Sequence, residues 1–174
     1  MEKIINNRFV FITGIIIVAA IFRLIPHLPN FTPIASMAIF GGALYSKKWK
    51  AFLIPLLALF ISDLVIGFHS TMIFVYLGFL AIVGIGFWLK KAVNVKNVII
   101  SALLASIVFF LVTNFGVWMM YDFYPKNFAG LIESYVAAIP FMRNDVLGNL
   151  FYSGVFFGAY YIVKAKYPKL VYVK

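Results

Sequence analysis

The chain has 174 residues, of which 64% are hydrophobic and 11% are charged, whereas apolar residues make up about half of a soluble domain. This composition excludes an ordinary soluble fold and predicts a single transmembrane domain over residues 1–174. The net charge of +10 does not indicate a nucleic-acid partner, because the lysines fall in short clusters between apolar runs. The absence of cysteine excludes disulfides and cysteine nucleophiles.

Six apolar runs predict an all-α integral membrane protein, a bundle of six transmembrane helices. They cover residues 9–22, 34–45, 51–67, 72–89, 98–118 and 146–163. The second run is short and rich in Ala and Gly, which favours a tilted, partly buried or re-entrant helix. Segment 119–145 is the one long connection, and its stretch 130–140, between a Gly and a Pro, predicts a short helix over the outer face.

The distribution of basic residues predicts that both termini are cytoplasmic. If consecutive helices alternate in direction, 12 of the 15 Lys and Arg residues lie on one side, and only Arg23, Lys126 and Arg143 lie on the other. This positive-inside pattern predicts a multi-pass protein of the bacterial cytoplasmic (inner) membrane. The outer loops are then expected to cover an outward-facing cavity.

Polar side chains concentrate at the predicted outer helix ends and in the outer loops. Arg23 and Asp63 are expected at similar depth, which predicts an ion pair that is either a structural bridge or a ligand contact. Asn114, Trp118, Tyr121 and Asp122 share one face of the fifth helix.

Asp145, Asn149 and Tyr152 repeat that spacing in the sixth helix, with Asp145 expected at or near the outer face. Aromatic rings with amides suit a planar or amphiphilic organic ligand, although Tyr121 and Tyr124 also fit an interfacial aromatic belt. The predicted ligand-binding residues are Arg23, Asn30, Asp63, Asn114, Trp118, Tyr121, Asp122 and Asn149.

The sequence gives only weak indications of metal binding, catalysis or docking of a partner subunit. His27 and His69 lack the fixed spacing of a metal site and are interpreted as surface residues, so neither a metal nor a cofactor is predicted. Catalytic signatures are missing from the sequence, which argues against an enzyme. The small residues Ala38 with Gly42, and Gly154 with Gly158, favour internal helix packing over docking of a partner subunit.

Several motifs together resemble an uncharacterised bacterial family of membrane transport proteins. These are Arg23-Leu-Ile-Pro26, Pro29-Asn-Phe-Thr-Pro33, Met37-Ala-Ile-Phe-Gly-Gly42, Pro55, Ser62-Asp63, Thr113-Asn-Phe-Gly-Val-Trp118 and Ile139-Pro-Phe141. That family is in turn similar to the substrate-binding S components of energy-coupling factor (ECF) transporters, which are small six-helix vitamin-capturing proteins. The resemblance implies an outward-opening ligand site and transport driven by a separate transmembrane coupling subunit with paired ATPase subunits.

The sequence therefore predicts a non-enzymatic transport protein that binds a small organic nutrient, such as a vitamin or corrinoid, at its outer face. The cobalt and nickel branch of the ECF class starts with Met-His and the solitary cobalamin branch carries a site cysteine, and this chain has neither. Two alternatives stay open. One is a structural or assembly subunit, and the other is an intramembrane lipid-modifying enzyme that uses Asp63 and Asp122 with a metal.

Overall fold

The computed structural model describes the backbone of residues 2–26 and 28–168, and the side chains of residues 8–26 and 28–168. Within these ranges the protein has six α-helices and no β-strand. They are α1 (Glu2–Phe22), α2 (Ile34–Leu44), α3 (Lys48–Ile66), α4 (Met72–Leu89), α5 (Val95–Met120) and α6 (Phe128–Lys166). Helices α3 to α6 are long and apolar enough to cross a membrane, so the predicted helical membrane class is confirmed.

Helix α2 forms the centre of the bundle. All 11 of its residues are buried, and it contacts each of the five other helices. A helix that is apolar on every face must be enclosed by protein or lipid, and here the other helices enclose it. Its length is about 16 Å, roughly half the thickness of the hydrocarbon layer. The predicted short, buried helix is therefore present, but it is not a full-length span.

Two glycines allow the backbones of α2 and α4 to touch. A Cβ atom on Gly42 would lie 2.5 Å from the carbonyl oxygen of Val83, and one on Gly86 would lie 2.6 Å from that of Ile39. Small residues permit such close approach between helices in a membrane. The predicted internal packing is thus confirmed at Gly42, with Ala38 fully buried beside it.

The second pair of small residues behaves differently. A Cβ atom on Gly154 or on Gly158 would meet nothing within 4 Å. Both glycines line an apolar groove between α5 and α6, of about 300 Å³. The expectation that this pair packs internally is therefore wrong.

The lysine-bearing helix ends meet at one end of the bundle. The Arg8 Nη2 atom at the start of α1 donates to the Leu44 carbonyl at the end of α2, over 2.7 Å. The Lys90 ammonium, just after α4, donates to the Tyr45 carbonyl over 2.6 Å. At the other end of the bundle, the end of α1 contacts the end of α3. The helices thus alternate in direction along this part of the chain.

Helix α6 differs most from its predicted form. It begins at Phe128 and runs for 39 residues, about 58 Å, where a short surface helix and a separate span from residue 146 were expected. The Asn127 side chain caps its start by accepting from the Gly130 N–H at 2.9 Å. Gly130 therefore lies inside the first turn, where only a residue without Cβ fits against Pro125. Pro140 lies inside the helix and costs one backbone hydrogen bond without ending it.

The first part of α6 packs along α5 and does not lie as a separate helix over the outer face. The Tyr135 hydroxyl donates to the Leu111 carbonyl at 2.9 Å, and the Tyr135 ring contacts that of Phe110 with centroids 5.6 Å apart. The real connection is therefore confined to residues 121–127. It is held by Trp118, whose Nε1 donates to the Pro125 carbonyl at 2.9 Å.

Gly86→Ala should destabilise the fold because its Cβ would lie inside contact distance of the α2 backbone. Overpacking of this kind typically costs about 1–3 kcal/mol, which should lower the midpoint of thermal unfolding in detergent. Gly84→Ala on the same helix is the matched control, since a Cβ there meets nothing within 4 Å. Equal destabilisation by the two variants would contradict the α2–α4 packing.

Candidate functional site

The first of two polar clusters lies where α1, α3 and α4 meet. The Arg23 guanidinium forms an ion pair with the Asp63 carboxylate and donates to the Ser62 hydroxyl. The Tyr76 hydroxyl donates to the second carboxylate oxygen of Asp63 over 2.8 Å. Asp63 is 2% exposed, so its charge is shielded from solvent. The predicted Arg23–Asp63 ion pair is therefore confirmed.

This Arg23 cluster (Arg23, Ser62, Asp63 and Tyr76) is satisfied from within the chain. Each oxygen of Asp63 accepts from its own donor, and Ser62 donates to the Leu59 carbonyl at 2.7 Å. A buried ion pair whose groups are all hydrogen-bonded is stable without a ligand. The geometry favours a structural bridge that joins three helices, while direct ligand contact stays a prediction.

The second cluster lies between α2, α5 and α6. The Asn149 Nδ2 atom donates to the Ser106 hydroxyl at 2.7 Å and to the Asp145 carboxylate at 3.1 Å. The Ser36 hydroxyl donates to the Asn149 backbone carbonyl at 3.1 Å and lies 3.0 Å from that of Ser153. All five residues are buried. They form the Asp145 cluster: Ser36, Ser106, Asp145, Asn149 and Ser153.

The Asp145 cluster contains one atom without a hydrogen-bond partner and one carboxylate without a described cationic partner. The Asn149 Oδ1 atom is buried and accepts no hydrogen bond. The two ion pairs among the described side chains involve Asp63 and Asp122, so none of the described cations neutralises Asp145. Buried polar atoms in native proteins nearly always have partners. The cluster therefore offers one free acceptor, Asn149 Oδ1, beside a carboxylate that has no described cationic partner.

Asp145 was predicted at or near the outer face, and the structure shows that it is buried within the bundle. Because α6 begins at Phe128, Asp145 lies well inside the helix and faces the bundle. Of the cluster, only Asn149 was in the predicted ligand-binding set. The four-residue spacing of Asp145 and Asn149 was a usable signal, since it places both on one helical face. The three serines gave no such signal in the sequence, because small hydroxyl residues are common in helix packing.

The α1–α2 connection lies against α6 on both sides of Asp145. A Cβ atom on Gly148 would lie 3.1 Å from the Phe31 Cα, and the Asn144 Nδ2 atom donates to the Pro29 carbonyl over 3.1 Å. Asn30, a predicted site residue, is exposed in this connection and has a left-handed φ of 62°. An irregular segment thus covers the Asp145 cluster from one side.

The four predicted residues at the end of α5 have local partners. Asn114 Nδ2 donates to the Phe110 carbonyl of its own helix at 2.8 Å, and Tyr121 stacks on Phe123. Asp122 is fully exposed, and its carboxylate lies 3.6 Å from the Lys126 ammonium. Trp118 donates to the Pro125 carbonyl in the connection to α6. In the described hydrogen-bond network none of them joins Asn149. Their contact with a ligand stays a prediction.

The residues considered for metal binding do not form a site within the described ranges. The His69 Nδ1 atom lies 2.9 Å from the Thr71 hydroxyl. No group of three His, Cys, Asp or Glu side chains converges in that part of the chain. His27 lies outside the described residues, as do the side chain of Lys3 and residues Lys169 and Lys174, which the topology prediction used.

Removing one partner of the Arg23–Asp63 pair should destabilise the protein more than removing both, because a single substitution leaves an uncompensated buried charge. Arg23→Gln, Asp63→Asn and the double variant form the test, with unfolding measured in the same detergent. The expected coupling energy is on the order of 1–3 kcal/mol. Strict additivity would show that the pair contributes nothing to the fold.

The chain belongs to a family of unknown function, DUF6580, whose model matches residues 3–170. No curated protein and no solved structure is significantly similar to it. Family membership thus covers nearly the whole chain, and the function must be inferred from the site.

Proposed function

We propose that this family member is a membrane transport protein that binds a small organic nutrient, of vitamin or corrinoid type, entering from the outer face. The observation that carries the proposal is the Asp145 cluster, in which Asp145 lacks a described cationic partner and Asn149 Oδ1 lacks a donor. Ionisable groups inside membrane bundles usually mark a substrate path or a functional pair.

The chemistry of the cluster suggests what part of the nutrient it would bind. The free Asn149 Oδ1 atom and the Asp145 carboxylate favour a solute that presents N–H groups or a positive charge. Aromatic rings lie beside it, since Tyr152 contacts Phe31 at 5.6 Å and Phe156 at 6.1 Å between centroids. Apolar rings with a few fixed polar groups are typical of small-molecule sites. In this proposal the α1–α2 connection moves aside to admit the solute and then returns.

The resemblance to ECF S components supports a finer version of the proposal, in which the chain is the specificity subunit of a larger transporter. The ATP chemistry then belongs to a separate coupling subunit with its ATPases, and this chain is not an enzyme. The hydrogen bonding of Ser62 and of both Asp63 carboxylate oxygens favours, as a second candidate, a structural or assembly subunit. The lipid-modifying alternative is weaker, because Asp63 is paired with Arg23 and Asp122 with Lys126.

Asn149→Ala should weaken nutrient binding about 5- to 150-fold, the range expected when an amide that bonds a buried ligand group is lost. Small molecules that co-purify with the wild type, identified by mass spectrometry, supply the ligand. Binding is then read as the rise in unfolding temperature that a ligand specific for the folded state produces.

Three variants sharpen this test. Asp145→Asn keeps the side-chain shape, removes the carboxylate and should reduce binding as well. Ser101→Ala is the control, because the Ser101 hydroxyl is buried on the same helix as Ser106 and has no hydrogen-bond partner. Asn114→Ala tests whether the site extends to the end of α5. Undiminished binding by Asn149→Ala and Asp145→Asn would favour the structural candidate.

The proposal also includes a topology with six membrane-inserted helices, cytoplasmic termini and a location in the bacterial inner membrane. Cysteines introduced at Lys48 and at His69, both exposed, should then react with an impermeant thiol reagent from opposite sides of the membrane. The chain has no native cysteine to interfere. Labelling of both positions from one side would contradict this topology.

A further inference from the structure

The lysine-bearing end of the bundle contains a cavity that the proposed nutrient site does not use. It has a volume of about 160 Å³. Its lining includes the cations Arg8, Lys47 and Lys50 and the apolar side chains of Phe9, Ile12 and Leu44. Cations and hydrocarbon-like surface therefore meet in one recess, which we call the Arg8 pocket.

Positive charge in and around the Arg8 pocket is not balanced within the described side chains. Their two ion pairs lie elsewhere, at Asp63 and at Asp122. Lys90 is adjacent, since it donates to the Tyr45 carbonyl. Burial, followed by the positive charges of Arg8 and Lys48, lowers the pKa of Lys90 below its usual value. The cations at this end are thus close enough to repel one another.

Arg8 also has an unused donor. Its Nη2 atom donates to the Leu44 carbonyl, whereas its Nε–H is buried and has no hydrogen-bond partner. A buried guanidinium N–H without an acceptor costs free energy, which an incoming anion would recover. The Lys50 ammonium lies 4.2 Å from the centroid of the Phe9 ring. Lys50 therefore lines the same recess as Arg8.

We infer that the Arg8 pocket binds the phosphate group of an anionic phospholipid. Phosphate oxygens are the preferred partners of converging Arg and Lys donors, and basic recesses between membrane helices on the cytoplasmic side are suited to lipid headgroups. The walls of Phe9, Ile12 and Leu44 decide between lipid and soluble phosphate, because they provide a surface for the first part of an acyl chain. Trp49, exposed at the start of α3, is typical of a position at the membrane interface.

The test uses the full-length protein in a neutral detergent with added lipids of identical acyl chains. Phosphatidylglycerol should raise the unfolding temperature and remain bound in native mass spectrometry, whereas phosphatidylcholine should do neither. Inorganic phosphate and glycerol phosphate form a third arm. Stabilisation by these soluble anions equal to that by phosphatidylglycerol would overturn the assignment to a lipid.

Charge-neutral variants locate the site. Arg8→Gln combined with Lys47→Gln should weaken phosphatidylglycerol binding about 10- to 30-fold. Because Arg8 also holds the Leu44 carbonyl, Lys47→Gln with Lys50→Gln is a second variant that leaves this contact in place. Lys91→Gln with Lys96→Gln removes the same charge from exposed positions outside the pocket and should change binding little. An equal loss in this control would show general attraction to a basic surface and overturn the pocket.

Discussion

The structure depends on the complete enclosure of an 11-residue helix that is too short to cross the hydrocarbon layer. Both ends of α2 lie within the protein, so the unpaired carbonyl groups at its C-terminal end need donors from other helices. Arg8 and Lys90 supply them at Leu44 and Tyr45. Close approach of α4 through Gly86 encloses the middle of the helix. Packing and backbone hydrogen bonding thus impose the same arrangement.

Helix α2 contacts both regions to which functions are proposed, the Asp145 cluster and the Arg8 pocket. Near its start, Ser36 bonds the backbone of Asn149 and so joins α2 to the Asp145 cluster. At its end, Leu44 forms part of the wall of the Arg8 pocket. A solute that displaced the α1–α2 connection would act on the chain just before α2.

The two polar clusters differ in whether their buried groups have partners, and this difference separates the structural from the functional candidate. Arg23 and Asp63 neutralise each other, and Tyr76 completes the carboxylate. Asp145 and Asn149 are also buried, but Asn149 Oδ1 accepts no hydrogen bond and Asp145 has no described cationic partner. A membrane interior penalises unpaired polar groups strongly. The incomplete cluster is therefore the one expected to receive something from outside the chain.

The sequence by itself determined the helical membrane class, the apolar runs, the alternation of basic loops and the pairing of Arg23 with Asp63. These features follow from composition and from residue spacing along the chain, because a bilayer constrains where apolar and charged residues lie along the membrane normal. The tertiary structure alone decided the course of α6, because the effects of Gly130 and Pro140 on a helix depend on what packs beside them. It also decided that Asp145, Ser106 and Ser36 meet, since contact between residues distant in the chain depends on helix rotation and depth. The apolar runs in the sequence specify neither the rotation of a helix nor its depth.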